Sequence, residues 1–232
     1  MTDGARSLIL TSEHADRAAP RRRGRPPNSS TDDTVANMLV AARRQFAAHG
    51  YAATSNRMVA EDAGLTHTAI YNHFGSKARL FTAVFLDVQQ LLIEELERSV
   101  RAAPAEPPFP RALLDAIVAL RAADPSYVEF LASMYVEVSR HPELREVFQD
   151  GEPFPIVEVL RRLSAESVAG DATDDAEEAM WFWITFALGL AQLSALADAA
   201  TFAATVEGLR RQFAATPIGL LGGAESHGGS HA

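Results

Sequence analysis

Residues 51–81 read YAATSNRMVAEDAGLTHTAIYNHFGSKARLF. Thr54 is a capping residue, its hydroxyl able to accept from a free N–H of a first helical turn. The helix it opens carries Val59, Ala60 and Ala63, apolar residues at helical spacing that face a core. Gly64 permits a backbone conformation that most residues resist and that a sharp helix-to-helix turn demands. Thr66 caps the next helix, where Ile70 and Phe74 stand four apart and pack inward. His67, Thr68, Tyr71, Asn72 and His73 are left on the outer side. Gly75 and Ser76 stop this helix, and Ser76 caps a third one with Lys77 in its first turn.

Two short helices about a glycine turn, the second bearing only hydrogen-bonding groups outward, let one helix lie in the major groove of DNA. A helix N-terminus beside Lys77 suits a phosphate. His73 reads equally well as a brace between neighbouring helices.

Working outward, the 232 residues are ample for a buried core. There is no cysteine, which excludes disulfides, cysteine zinc sites and thiol catalysis. The net charge of −9 hides an asymmetry. Residues 1–81 hold 11 Lys and Arg against 7 Asp and Glu, a net +4, whereas residues 82–232 are at −13. A basic front and an acidic back fit a chain whose first part meets phosphate. No secretory signal is recognisable, since Leu8-Ile9-Leu10 is too short for an apolar signal core.

Residues 1–30 lack periodicity and are expected to be disordered. They contain Arg22-Arg23-Gly24-Arg25-Pro26, which looks like an AT-hook core. Arg22, Arg23 and Arg25 either enter a narrow A·T minor groove or simply raise electrostatic affinity. The first helix starts near residues 30–33, with Val35, Leu39, Ala42 and Phe46 as its inward stripe, and Gly50 ends it. A long helix runs from Ser76 to about Ala103, with Leu80, Val84, Val88 and Leu91 inward, until PAEPPFP (residues 104–110) breaks the chain. Further helices are expected at about 111–123, 126–139, 142–149, 154–169, 174–199 and 201–214. No alternating run argues for a strand. The Gly-rich tail after Pro217 should be mobile.

AMWFWITFALGLAQLSALA (residues 179–197) is apolar almost all round and approaches a membrane span in length. Thr185, Gln192 and Ser194 interrupt it, and its flanks are acidic, so no positive anchor is present. Burial by its own domain on one side and a second subunit on the other explains it better.

The stretch from about Val35 to Val84 resembles the DNA-binding domain of the tetracycline-repressor (TetR) family of bacterial regulators. AARRQFAAHGYAATS, VAEDAGLTHTAIYNHF and GSKARL carry the resemblance. Asn56 departs from it, standing where an apolar residue is usual, and so does Arg79, standing where an acidic one is common. The resemblance implies an all-α protein. A basic arm (1–30) would precede a three-helix helix-turn-helix domain (31–81), then a helical effector-binding and dimerisation domain (82–216) and a flexible tail (217–232). It also implies a homodimeric, ligand-responsive transcriptional regulator, a repressor on a near-palindromic operator. Such a protein is cytoplasmic, nucleoid-associated and non-enzymatic, and needs no cofactor.

Residue by residue, the resemblance makes Thr54 and Lys77 phosphate contacts. Thr66, His67, Thr68 and Asn72 fall at base-reading positions, and Tyr71 and His73 at backbone-contacting ones. Ala69 suits a thymine methyl. The subunits would pair through helices near 154–169 (Ile156, Val159, Leu160, Leu163) and 174–199. An effector pocket would be lined by Tyr127, Phe130, Met134, Tyr135, Trp183 and Phe186, which suits a hydrophobic small molecule or else is ordinary core. Glu129 and Glu137 would pair with a cation, or are a solvated face.

Two other readings stay open. One is an architectural binder of A·T-rich DNA, without an effector, that depends wholly on residues 1–30. The other is a ligand-binding or enzymatic helical protein with a vestigial front domain. Against catalysis, the sequence lacks G-x-S-x-G, H-E-x-x-H and a glycine-rich phosphate loop. His227 and His231 have no carboxylate or cysteine beside them to complete a metal site.

Overall fold

The computed structural model describes residues 31–102, 109–149, 155–167 and 173–215. Arg22, Arg23, Arg25, His227 and His231 lie outside the described residues, as does residue 30 at the expected start of the first helix. The described residues form ten helices and no strand: α1 (Thr31–Ala53), α2 (Asn56–Asp62), α3 (His67–Phe74), α4 (Lys77–Ala102), α5 (Phe109–Ala123), α6 (Ser126–Arg140), α7 (Pro142–Gln149), α8 (Pro155–Ser167), α9 (Thr173–Leu196) and α10 (Ala199–Ala215). Among them, no helix is long and apolar enough to cross a membrane.

Helix α1 runs straight to Gly50, whose φ of 74° and ψ of 173° break it before one further turn. Such backbone angles are open essentially to glycine alone. A Cβ there would also sit 2.6 Å from Glu137 Oε1. Ala42 and Phe46 of the expected stripe are fully buried, but Met38, Ala41 and Arg43 accompany them, while Val35 and Leu39 are only half-covered. On α4 the inward row drifts from Val88 to Leu92 and Leu96, leaving Leu91 half-exposed. Leu91 still packs against the second core from its edge.

Two cores result. The first joins the helix-turn-helix region to α6 and α7: Phe81 of α4 packs edge-on against Phe46 of α1 at 5.0 Å and lies 5.0 Å from Phe130 of α6. The second is built by α4, α5, α8, α9 and α10 around Leu96, Leu113, Ile117, Leu160 and Trp183. Helix α4 passes through both, so the front domain is continuous with the body.

Candidate nucleic-acid interface and apolar cavity

The helix-turn-helix is held from behind. Val59 and Ala60 of α2 and Ile70 of α3 are sealed from solvent, and Gly64 turns the chain between the two helices at a φ of 66°. Ser55, not Thr54, caps α2, accepting from the Met58 N–H at 3.2 Å. Thr54 is 1% exposed, and its hydroxyl faces two acceptors, the carbonyls of Gly50 at 2.8 Å and Gln45 at 3.0 Å. It closes the end of α1. Asn56 pays for its departure from the apolar pattern with a buried Oδ1 that has no partner among the described residues.

Thr66 occupies the N-cap position of α3 with extended backbone, but its hydroxyl makes no capping bond. Thr66, His67, Thr68, Tyr71, Asn72 and His73 are all exposed. Tyr71 is the most prominent apolar group there at 59% exposure, and the His73 ring lies 4.8 Å from the Phe74 ring. Ala69 is half-buried against the first core.

Ser76 caps α4 by accepting from the Arg79 N–H at 3.2 Å. Lys77 turns inward. Its Nζ donates to the carbonyls of Tyr51 at 2.9 Å and Thr54 at 3.1 Å, reaches Ala52 O at 3.5 Å, and sits 4.2 Å over the Tyr51 ring. An ammonium has three N–H donors, and these carbonyls take all of them. Burial lowers the Lys77 pKa, against the opposing charges of Glu143 and Glu137. The Tyr51 phenol is pushed up to about 12 by burial, reinforced by the charge and hydrogen bond of Glu143. Lys77 therefore staples the end of α1 to the start of α4, and Arg79 is the exposed cation on that first turn.

The body holds an apolar cavity of about 60 Å³ between α4, α5, α6, α8 and α9. Met134 and Tyr135 line it, with Phe85, Gln89, Leu113, Ile117, Ile184 and Leu188 among their neighbours. Phe130 does not reach it, being locked between Phe46 and Phe81. Tyr127 instead lies under the Arg43 guanidinium at 3.4 Å, and Trp183 and Phe186 pack against Phe213. Glu129 is exposed, while Glu137 pairs with His141 at 3.2 Å. Helical spacing alone could not separate wall from core, because both demand apolar residues.

The expected pairing residues on α8 also face their own domain: Leu160 and Leu163 are buried, and Ile156 lines the cavity. Large apolar groups of the body are exposed on α9 (Trp181, Phe182 and Leu196), and also on α4 (Leu86) and α6 (Tyr135 and Val136).

Residues 38–84 match the family of bacterial regulatory proteins, tetR family. No curated protein matches the chain. Among solved structures, the fold is similar to the fatty acid degradation regulator FadR of Bacillus halodurans (16% identity, TM-score 0.58, 88% of this chain and 100% of that one). It is also similar to GusR of Salmonella enterica (19%, 0.55, 79% and 95%) and to a TetR-like transcriptional regulator of Rhodococcus sp. RHA1 (19%, 0.53, 82% and 100%). The front of the chain thus carries the DNA-binding region of the tetR family, and its all-helical body has the fold of these regulators.

Proposed function

We propose that the protein is a ligand-responsive repressor that acts as a homodimer in the cytoplasm. The observation that carries the DNA part is the set of exposed hydrogen-bonding side chains on and just before α3, with Ile70 anchoring the helix from behind. Thr66, His67, Thr68 and Asn72 would read base edges, and Tyr71 and His73 would hold the backbone. Arg79, rather than Lys77, would supply the phosphate-facing charge. Arg22, Arg23 and Arg25 would add flanking contacts.

Two such helices enter successive major grooves only if a dimer sets them about 34 Å apart along the duplex. The uncovered apolar side of α9 supports pairing there, since large exposed aromatics on a helix mark an interaction surface. An effector in the cavity would favour a conformation with the wrong separation. It would release DNA to the extent that its affinity differs between the two conformations.

Footprinting the purified protein on the DNA beside its own gene, at low and physiological salt, tests this reading. A discrete near-palindromic footprint that survives salt supports a sequence-reading dimer. Diffuse protection that vanishes with salt, or that is lost entirely on deleting residues 1–30, points to the arm as the binding element.

A further inference from the structure

Gln89 stands in the cavity wall at 1% exposure. Its Oε1 accepts from the Ile156 N–H, at the start of α8, at 3.2 Å. A backbone N–H can only donate, so this bond fixes which way the amide faces and leaves Nε2 as its free donor. Nε2 is buried and has no partner among the described residues. The rest of the described lining is apolar apart from Tyr135, and contains no Lys, Arg or His. A lining residue thus holds an unpartnered hydrogen-bond donor just behind an oily surface that has no cation.

We infer that the effector is an uncharged, mainly apolar molecule carrying a carbonyl-type acceptor, held by Gln89 Nε2. This rests on reading the cavity as the effector site. A carboxylate would lose its water with no cation to replace it, whereas a neutral carbonyl satisfies a donor that is otherwise stranded. At about 60 Å³ the cavity is smaller than the roughly 300 Å³ of established small-molecule sites. Entry therefore widens it, and Met134 is the most adaptable wall residue. Gln89 lies on the helix that starts behind α3 and is bonded to α8. A ligand drawing on its amide acts on both helices at once.

The test compares 2-nonanone, nonane and nonanoate as probes of the full-length protein, by thermal shift and ligand-observed NMR. The ketone is expected to bind about 3- to 10-fold more tightly than the alkane, the worth of one net hydrogen bond. Nonanoate is expected not to bind at neutral pH. Gln89→Met should erase the ketone's advantage while retaining alkane binding. Gln89→Glu, which keeps an acceptor for Ile156, should erase it as well. Equal binding of ketone and alkane, preference for nonanoate, survival of the preference in Gln89→Met, or binding of no probe each overturns the inference. The operator footprint is read on the same preparations. A sound footprint beside any of these results removes the ligand class alone, while a missing footprint counts against the regulator reading itself.

Discussion

Arg43 Nη2 lies 2.9 Å from Asp124 Oδ2, across eighty-one positions of sequence. The same guanidinium donates through Nε to Ser126 Oγ at 2.9 Å and rests on the Tyr127 ring, and only 2% of it is exposed. Arg44 shares the Asp124 carboxylate from the surface at 3.1 Å. A buried guanidinium is tolerated only when paired. This one fixes α1, and with it the DNA-binding unit, to the turn between α5 and α6.

Asp124→Asn should therefore cost about 3 kcal/mol in urea unfolding, the lower range for breaking a buried pair. The pH dependence follows from the carboxyl. Burial opposes its ionisation, but the Ser126 hydrogen bonds, Arg44 and Arg43 outweigh that and hold its pKa down at about 2, from an ordinary 3.8. A depressed pKa gives stability that is complete above about 4 and lost as pH falls through about 2. The gap between wild type and Asp124→Asn should close over that window.

Lys77 and Arg79 should separate in salt titrations of operator binding. Each phosphate-neutralising cation contributes about 0.9 to the slope of log affinity against log salt. Arg79→Ala should flatten the slope by about that amount per subunit and leave stability unchanged. Lys77→Met should leave the slope alone and lower unfolding stability by about 2 kcal/mol, because charge-assisted bonds to carbonyls are lost. A reduced slope in Lys77→Met would place that ammonium on DNA after all.

Asn72→Ala and Tyr71→Ala change exposed side chains and should shift stability by no more than about 0.5 kcal/mol. Fluorescence anisotropy should show Asn72→Ala costing about 1–3 kcal/mol with relaxed choice of base at one position, as expected of a bidentate reader. Tyr71→Ala should weaken all sequences alike.

Trp181→Glu places a charge on the uncovered side of α9, where Trp181 is 56% exposed. Light scattering should report a folded monomer, and operator affinity should fall with dimerisation. A dimer that persists unchanged would move the interface off this face.

Much of the fold was legible in residues 30–215 because capping residues, glycine punctuation and 3.6-residue periodicity act locally. Thr66, Gly75 and Ser76 fell at their helix ends, and Ile70 turned inward with Tyr71 and Asn72 outward. Arg43 had left a trace, a charge three residues before Phe46 on the same inward stripe. So had Gln89, in row with Phe85 and Leu92. Neither position names its partner, since Asp124 and Ile156 are brought near only by packing.

The sequence by itself determined the ten helices, the helix-turn-helix and its outer row, because each depends on neighbours within about one helical turn. Only the tertiary structure decided that Lys77 faces carbonyls, that Thr54 is sealed, and that Met134 borders a cavity while Phe130 fills a core. An apolar side chain buries equally well against any apolar neighbour, and a cation is satisfied by any group of oxygens. Which neighbour each one meets is settled by how the helices cross.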